Sequence, residues 1–312
     1  MKPNVIALST DAAMLPPAAF LADRLAKLNP RDDTEVVLFC DSLNDLAEAR
    51  RFGVPGDLRH VQLGSFPDTG PVNRVVYYRL FLPEALGPEV RRVLYLDVDL
   101  WVENDSLFRL FDLDMGGYAI GAVRALLLAF GEPYRKMLES MGLLETRKLF
   151  NAGVLLIDCE RYRQIDLAHR AFELAGRHGA DDQRALNTIL QGDWLELSPA
   201  MNLAAFMRRT LVGGAFAPLI THYSGPWKLW FDQRDPHYAD LKTYLAVSPW
   251  PTFLASQEAR GKEKGRVPDF GPDLWPSIAR YVYGTSFADV EQGITPPPKA
   301  PAAQVRGRPS RA

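Results

Sequence analysis

The sequence has little cysteine and no excess of charge of one sign. Its 312 residues include two cysteines, Cys40 and Cys159, and its formal net charge is −2. Two cysteines cannot form a disulfide framework, and their number is typical of a protein in a reducing compartment. Because the chain is nearly neutral, nothing in its overall charge favours a nucleic-acid partner or an anionic membrane.

The sequence also lacks a long hydrophobic run. No apolar segment approaches the ~20 residues that a membrane-spanning helix needs, and the apolar run at 125–130 is far too short. The run at 5–8 is brief and is soon followed by Asp11, which does not fit a signal peptide. We therefore expect a cytoplasmic protein whose ordered domain begins almost at residue 1.

Short apolar runs alternate with amphipathic segments. Strands are predicted at 5–7, 36–39, 60–63, 93–96, 118–123, 153–157, 194–197 and 219–221, and helices at 17–28, 43–51, 74–86 (broken at Pro83) and 182–190. This alternation predicts an α/β fold with a mixed, mostly parallel sheet flanked by helices. In such sheets, ligands bind at the carboxyl ends of the strands.

The alternating pattern weakens after about residue 232. We predict a main domain over 1–235, a less regular C-terminal extension packed on it over 236–294, and a tail over 295–312. The tail is rich in proline, has no aromatic residue and carries four basic residues, so it is predicted to be disordered. A basic tail can contact anionic headgroups at the inner face of a membrane, although a solvated tail is the simpler interpretation.

The strongest local motif is Asp97-Val98-Asp99, directly after the apolar strand at 93–96. In extended backbone, side chains at positions i and i+2 point the same way. Two carboxylates on one side at a strand's carboxyl end suit Mg²⁺ or Mn²⁺ bridging a diphosphate. The alternative is two surface aspartates at a junction between a strand and a loop, and the spacing alone does not decide between them.

A second apolar strand, at 219–221, ends at His222. Imidazole is a good third ligand for Mn²⁺ and a poorer one for Mg²⁺. Gly225 allows a positive φ or a close backbone approach, and Lys228 supplies a cation for a departing phosphate. A lone histidine is more often a satisfied core residue, but the lysine six residues later favours a site.

Three further segments carry polar residues that could face a bound sugar. Asn151 and Gly153 precede an apolar strand, and the alternative there is a plain turn. Asp181, Asp182 and Gln183 stand at the start of a helix, and the alternative there is that aspartate caps the free N–H groups. Arg79 could hold a phosphate or a sugar hydroxyl, and its alternative is a surface salt bridge.

Taken in order, these segments resemble glycosyltransferase family eight. The matching pieces are Tyr77-Tyr78-Arg79-Leu80, the strand ending in Asp97-Val98-Asp99, Phe150-Asn151-Ala152-Gly153 with the strand after it, Asp182-Gln183 with Leu186-Asn187, and His222-Tyr223-Ser224-Gly225-Pro226-Trp227-Lys228-Leu229-Trp230. The resemblance implies a Rossmann-like GT-A fold, with the domain over 1–235 as the nucleotide-sugar-binding catalytic domain. It also implies transfer of a hexose, glucose or galactose, from a UDP-sugar to a glycan or glycolipid such as lipopolysaccharide core, with retention at the anomeric carbon.

The resemblance further implies roles for individual residues. Mn²⁺, or Mg²⁺ in its place, would be held by Asp97, Asp99 and His222. The donor substrate would be contacted by Asp11, Arg79, Asp97, Val98, Asp99, Asn151, Gly153, Gly225 and Lys228. Asp182 and Gln183 would be catalytic, with Asp182 as a nucleophile or an ion-pair stabiliser. A front-face displacement, in which the leaving phosphate deprotonates the acceptor, needs no protein nucleophile.

The chain also departs from the family pattern. Arg184 replaces a frequent second acid, Arg124 and Ala125 stand where an aspartate is frequent, Ala12, Ala13 and Met14 replace a tyrosine that stacks on uracil, and Leu229 replaces a proline. These changes leave the donor sugar and base open, and with them the alternative of a non-catalytic nucleotide-sugar binder. A haloacid-dehalogenase-like phosphatase is a further alternative, but Trp101 stands where it needs Thr or Val.

Overall fold

The computed structural model describes residues 1–61, 74–125, 136, 139–140, 149–205, 218–225 and 228–261. The predicted tail over 295–312 and the larger part of the predicted extension lie outside these residues. So do positions 62 and 63 of the predicted third strand, and Pro226 and Trp227 of the last motif. The division into domains at residue 235 therefore stays a prediction.

The described residues form strands at β1 Asn4–Thr10, β2 Thr34–Cys40, β3 Asp57–His60, β4 Arg92–Leu96, β5 Leu100–Val102, β6 Ile120–Arg124, β7 Phe150–Asp158, β8 Leu195–Glu196, β9 Leu203–Ala204 and β10 Ile220–His222. Seven of them make one sheet in the order β3-β2-β1-β4-β7-β6-β8. Only the pairs that β7 makes with β4 and β6 are antiparallel. The prediction of a mixed, mostly parallel sheet is confirmed.

The helices in the same part of the chain are α1 Leu15–Leu28, α2 Leu43–Phe52, α3 Leu82–Leu86, α4 Cys159–Gln164, α5 Leu167–His178, α6 Asp182–Leu190, α7 Tyr238–Val247 and α8 Phe253–Gly261. Short 3₁₀ helices lie at Ala12–Met14, Arg74–Phe81, Asp105–Asp112, Pro199–Met201 and Leu229–Phe231. Ile6 and Leu8 of β1 pack in one buried apolar cluster, and Val5 and Ala7 pack in another. The sheet is therefore covered on both faces, which explains why its strands are continuous apolar runs.

A second, smaller sheet has the order β5-β10-β9. Three residues separate strand β5 from the end of β4, and β5 pairs antiparallel with β10, so that Leu100 lies opposite His222. Strand β9 pairs with the other side of β10 in parallel. This sheet brings two motifs that are far apart in the sequence to the carboxyl end of β4.

Several element predictions need correction. The third strand is Asp57–His60, three residues earlier than predicted, because its polar edge residues hid the pattern. Segment 74–86 is a 3₁₀ helix followed by α3, and Pro83 lies in the first turn of α3 instead of breaking a helix. The prediction of a less regular region after residue 232 is wrong for α7 and α8, which are ordinary helices.

Helices α7 and α8 pack on the sheet-bearing part of the chain through aromatic contacts. Phe20 of α1 lies 5.3 Å from Tyr244 of α7, and Trp230 lies 5.7 Å from Phe253 of α8, between ring centroids. These contacts belong to an apolar cluster that includes Trp101 of β5. Within the described residues, no helix is both long enough and apolar enough to cross a membrane.

Candidate active site

The Asp97-Val98-Asp99 motif forms the turn between β4 and β5. Because the strand ends at Leu96, Asp97 and Asp99 lie in a turn and not in the strand. The reason given for their pointing the same way, an extended backbone, is therefore wrong. The turn is anchored by the backbone N–H of Asp97, which donates to the Gly153 carbonyl at 2.8 Å. At its other end, the N–H of Tyr223 donates to the Asp99 carbonyl at 3.0 Å.

Asp97, Asp99 and His222 converge at this turn. His222 Nε2 lies 3.4 Å from Asp99 Oδ1 and 3.7 Å from Asp97 Oδ2, and one ligand atom from each residue lies within 4.8 Å of the others. Two carboxylate oxygens and one imidazole nitrogen form a donor set that fits a divalent cation such as Mn²⁺. The predicted trio is therefore brought together and could hold a metal ion.

Asp97 is oriented by groups on the side away from this trio. Its Oδ1 accepts a hydrogen bond from the Tyr95 hydroxyl at 2.7 Å and lies 2.9 Å from Arg79 Nη2. Tyr95 is buried, and the Arg79 guanidinium lies 4.4 Å from its ring centroid. Because Oδ1 is held in this way, Oδ2 is the oxygen that faces His222. The sequence interpretation missed Tyr95, although its position two residues before Asp97 was a signal.

Asp99 makes an ion pair with Lys228 through Oδ2. Burial alone raises the pKa of Asp99, but Lys228 and His222 outweigh it and hold the pKa well below its ordinary value. Asp99 is thus a carboxylate at neutral pH. The ion pair also places the Lys228 ammonium at the turn of residues 97–99, the candidate metal-binding turn.

Arg79 is buried, so the interpretation of a surface salt bridge is wrong. Its Nη1 donates to the Ala152 carbonyl at 2.7 Å, and its Nε lies 3.0 Å from Asp182 Oδ2. Burial lowers the pKa of Arg79, but Asp182 and Asp97 raise it above its ordinary value. Arg79 is therefore a fixed cation between the metal-binding turn and helix α6.

Helix α6 presents Asp182 to the site, while its neighbour caps the helix. Asp181 accepts a hydrogen bond from the N–H of Arg184 at 2.7 Å, so the capping role belongs to Asp181. Asp182 is only 4% exposed, and burial raises its pKa to about 7, although Arg79 acts in the opposite sense. Its Oδ2 has no aligned hydrogen-bond donor among the described residues, because Arg79 Nε donates to the Val76 carbonyl.

Gln183 and Asn151 form an amide pair beside these groups. Gln183 Oε1 accepts from the Ala152 N–H at 2.9 Å and from Asn151 Nδ2 at 3.2 Å. Asn151 Oδ1 accepts from the Gly153 N–H at 3.0 Å. The predicted Asn151, Gly153, Asp182 and Gln183 are therefore neighbours at one end of β7.

The absence of a side chain at Gly153 leaves room for His222 and Asp97. A Cβ atom added there would lie 2.3 Å from His222 Cε1 and 2.8 Å from Asp97 Oδ2. Any side chain at this position would displace the imidazole or the carboxylate. Glycine at this position thus permits the close approach of His222 and Asp97, two of the candidate metal ligands.

Asp11, Gly225 and Val98 are the remaining residues that were predicted to contact the donor substrate. Asp11 follows β1, whose parallel neighbour is β4, and its Oδ1 accepts from the Met14 N–H at 2.9 Å as a helix cap. Gly225 has a φ of +68°, which explains glycine there. Val98 is half-buried within the turn.

The residues that depart from the family pattern have partners of their own. Arg124 forms two contacts with Glu196, at 2.8 and 2.6 Å. Arg184 lies 3.5 Å from Asp181 and donates to the Gly179 carbonyl at 3.1 Å. These contacts direct Arg124 to Glu196, and Arg184 to Asp181 and Gly179, and not to the turn of residues 97–99.

Comparison with known proteins identifies the family. The sequence profile of Glycosyl transferase family 8 matches residues 6–234. The chain belongs to this family. The prediction of a family-eight glycosyltransferase is confirmed, and the match covers every residue predicted for the site.

Several named bacterial proteins are similar to this chain in sequence. General stress protein A of Bacillus subtilis is 28% identical over 65% of this chain and 77% of its own length. The lipopolysaccharide 1,2-glucosyltransferase of Escherichia coli K12 is 27% identical over 61% of this chain and 59% of its own length. Glycosyltransferase GlyF of Streptococcus pneumoniae is 30% identical over 55% of this chain, and the match spans 45% of that protein.

Solved structures support the GT-A fold. The galactosyltransferase LgtC, crystallised with donor and acceptor sugar analogues, has a TM-score of 0.61 at 22% identity and covers 88% of this chain and 99% of its own. The bifunctional glycosyltransferase WbbM has a TM-score of 0.65 at 15% identity, over 83% of this chain and 52% of its own. The predicted GT-A architecture is confirmed.

Proposed function

We propose that this protein transfers a hexose, glucose or galactose, from a UDP-sugar to a glycan acceptor such as lipopolysaccharide core, with retention at the anomeric carbon. The observation that carries the proposal is the convergence of Asp97, Asp99 and His222 beside Lys228 and Asp182. The named relatives supply the substrate class, since one is a lipopolysaccharide glucosyltransferase and another a galactosyltransferase.

We assign the donor diphosphate to the metal-binding turn. Asp97, Asp99 and His222 would hold Mn²⁺, or Mg²⁺ in its place, and the bound ion would supply a Lewis acid to the leaving diphosphate. Lys228, which contacts Asp99, would donate to a phosphate oxygen once the ion neutralises that carboxylate. Gly225 would let the backbone approach the phosphates closely.

We assign the donor sugar to the opposite flank, where Arg79, Asn151, Gly153, Asp182 and Gln183 are grouped. Asp182 would stabilise positive charge that develops at the anomeric carbon, or would attack it as a nucleophile. Its contact with Arg79 favours the first role, because a neighbouring cation lowers the nucleophilicity of a carboxylate. In that case the leaving phosphate would take the proton of the acceptor hydroxyl.

Two alternatives are less well supported. A haloacid-dehalogenase-like phosphatase would leave His222 unused and does not fit the family match. A non-catalytic nucleotide-sugar binder was suggested by Arg184 and Ala125. Arg184 is engaged with Asp181, and Ala125 is buried, with its N–H donating to the Leu149 carbonyl at 2.7 Å. The contacts of these residues give no reason for a silent site.

The test measures UDP release by the purified protein with Mn²⁺, a panel of UDP-sugars and a lipopolysaccharide-core oligosaccharide. We expect release from one donor, a product heavier by one hexose, and an anomeric configuration by NMR that matches the donor. Chelation and the Asp97→Ala/Asp99→Ala variant should abolish it, whereas Asp32→Ala/Asp193→Ala, two exposed acids, should not. Binding of UDP and Mn²⁺ without turnover on any acceptor would favour the non-catalytic alternative.

A further inference from the structure

His222 has a polar neighbour that the sequence interpretation missed. Asn202 lies between the 3₁₀ helix Pro199–Met201 and strand β9, and its Oδ1 is 2.8 Å from His222 Nδ1. Its other amide atom, Nδ2, donates to Asn151 Oδ1 at 2.8 Å. Asn202 therefore touches both a candidate metal ligand and a residue on the sugar side.

The backbone fixes which way these amides point. The N–H groups of Ala152 and Gly153 can only donate, so the atoms they contact must be the oxygens of Gln183 and Asn151. Asn151 thus presents an oxygen to Asn202, which must meet it with its NH₂ group. The carbonyl oxygen of Asn202 is then left facing the imidazole, so the orientation follows from the network and is not arbitrary.

A carbonyl oxygen can only accept, so His222 Nδ1 must carry the proton. In the neutral imidazole, a proton on Nδ1 leaves the lone pair on Nε2. Nε2 is the nitrogen that faces Asp97 and Asp99, at 3.7 and 3.4 Å. The imidazole is thus held in the tautomer and the orientation that a metal ligand needs.

We propose that Asn202 is a positioning residue that holds His222 with its Nε2 lone pair toward the metal and links the metal-binding turn to the amide pair Asn151–Gln183. The inference deepens the proposed function and rests on it for the identity of the ion. It assigns no catalytic step to Asn202, which acts through His222 and Asn151. Residues of this kind, when changed, typically lower metal affinity about 10–100-fold.

The test uses two variants that separate the two hydrogen bonds. Asn202→Asp keeps an oxygen acceptor for His222 but has no donor for Asn151. Asn202→Leu has a similar volume and makes neither bond. Asn29→Leu is the matched control, because Asn29 also makes two hydrogen bonds, to Arg31 and Thr34, at the far end of β2.

The first readout is the tautomer of His222 in the metal-free protein, from ¹⁵N shifts of the five histidines at a pH high enough for the imidazoles to be neutral. We expect the Nδ1–H tautomer in the unchanged protein, in Asn202→Asp and in Asn29→Leu, and loss of that preference in Asn202→Leu. This readout does not depend on the proposed reaction. An Nε2–H tautomer in the unchanged protein would overturn the inference even if the protein proved to be an active transferase.

The second readout is Mn²⁺ affinity, from the electron paramagnetic resonance signal of free Mn²⁺ during titration. We expect Asn202→Leu to bind about 10–100-fold more weakly, with Asn202→Asp and Asn29→Leu close to the unchanged protein. Equal affinity in Asn202→Leu, or an equal loss in Asn29→Leu, overturns the inference and leaves the proposed function standing. If the unchanged protein binds no Mn²⁺, the proposed metal site fails and the inference fails with it.

Discussion

Arg79 and Asp182 form a buried ion pair, with Nε 3.0 Å from Oδ2. The same guanidinium lies 2.9 Å from Asp97, so one cation contacts both the metal-binding turn and the candidate catalytic carboxylate. A buried charge is tolerated only when it is paired, because desolvation otherwise costs too much. The Arg79 guanidinium therefore holds the site together, and we expect the stability of the fold to depend on it.

Replacing Arg79 should consequently destabilise the whole protein. We expect Arg79→Met to lower the free energy of unfolding by about 3–5 kcal/mol, because the buried Asp182 and the half-buried Asp97 both lose their partner. Arg177→Met removes an exposed pair with Glu173 and should cost less than about 0.5 kcal/mol. Urea denaturation in the absence of metal measures both values.

A double variant checks that the cost comes from the unpaired charge. Arg79→Met combined with Asp182→Asn should lose less stability than the sum of the two single changes, by about 0.5–3 kcal/mol. Strict additivity would mean that Arg79 and Asp182 do not stabilise each other. The explanation of the site by a shared cation would then be wrong.

Gly153→Ala tests the close approach of β7 to His222. The new Cβ would lie 2.3 Å from His222 Cε1, so the imidazole must move, and we expect a loss of about 1–3 kcal/mol in stability. Sugar transfer and Mn²⁺ affinity should both fall, because the ligand is displaced. Enzyme assays and titration with Mn²⁺ measure the two effects.

Gly121→Ala is the matched control in the same sheet. A Cβ at Gly121 would meet its nearest atom, Leu197 Cδ2, at 3.4 Å, which is an ordinary contact. This variant should bind Mn²⁺ as the unchanged protein does. A Gly153→Ala variant with unaltered metal affinity would show that His222 is not a ligand or that the turn shifts freely.

The sequence predicted most of the sheet, and it indicated the three candidate ligands that the fold brings together, because both leave local signals. Buried parallel strands are continuous apolar runs, and a strand followed by two aspartates marks the ligand edge. The capping alternative at 181–183 was also useful, since Asp181 caps helix α6 while Asp182 faces the site. Two different aspartates thus cap the helix and face the site, and the motif alone could not show which aspartate has which role.

What the sequence could not predict depends on contacts between distant segments. Asn202 is 20 positions from His222, and nothing in its local pattern indicates that the two meet. Likewise, Arg79 is buried where it contacts Ala152 of β7 and Asp182 of α6, both far away in the sequence. Strand β5 was missed because its three residues are too few to show a period.

The two cysteines provide a pH-dependent prediction. Burial raises the pKa of Cys40 to about 11 and that of Cys159 to about 12. Since the thiolate is the reactive form, neither should react with a disulfide reagent at pH 8 in the folded protein, and both should react in denaturant. Reaction of one thiol without denaturant would contradict the burial of that cysteine.

The raised pKa values of the two cysteines also determine how the free energy of unfolding changes with pH. A thiol whose folded pKa is raised stabilises the protein below the unfolded value of about 8.5, and this contribution is lost as the pH rises beyond it. The free energy of unfolding should therefore fall above that pH. The slope should be shallower in Cys159→Ala, whatever its absolute stability, and an unchanged slope would contradict the assignment to Cys159.

Tyr95→Phe tests whether the Tyr95 hydroxyl orients Asp97. The ring stays in place, but Asp97 Oδ1 loses a hydrogen bond of 2.7 Å inside the protein. We expect a stability loss of about 1–3 kcal/mol, since the acceptor is charged. Because Asp97 Oδ2 is then less firmly directed toward His222, Mn²⁺ affinity should fall about 10–100-fold.

Tyr162→Phe separates that orienting effect from the loss of any buried hydroxyl. Tyr162 is equally buried, and its hydroxyl donates to the Leu80 carbonyl at 3.0 Å, away from the metal-binding turn. Both variants should therefore lose stability, but only Tyr95→Phe should lose Mn²⁺ affinity. If both variants bind Mn²⁺ equally well, Arg79 alone orients Asp97 and the tyrosine serves only the core.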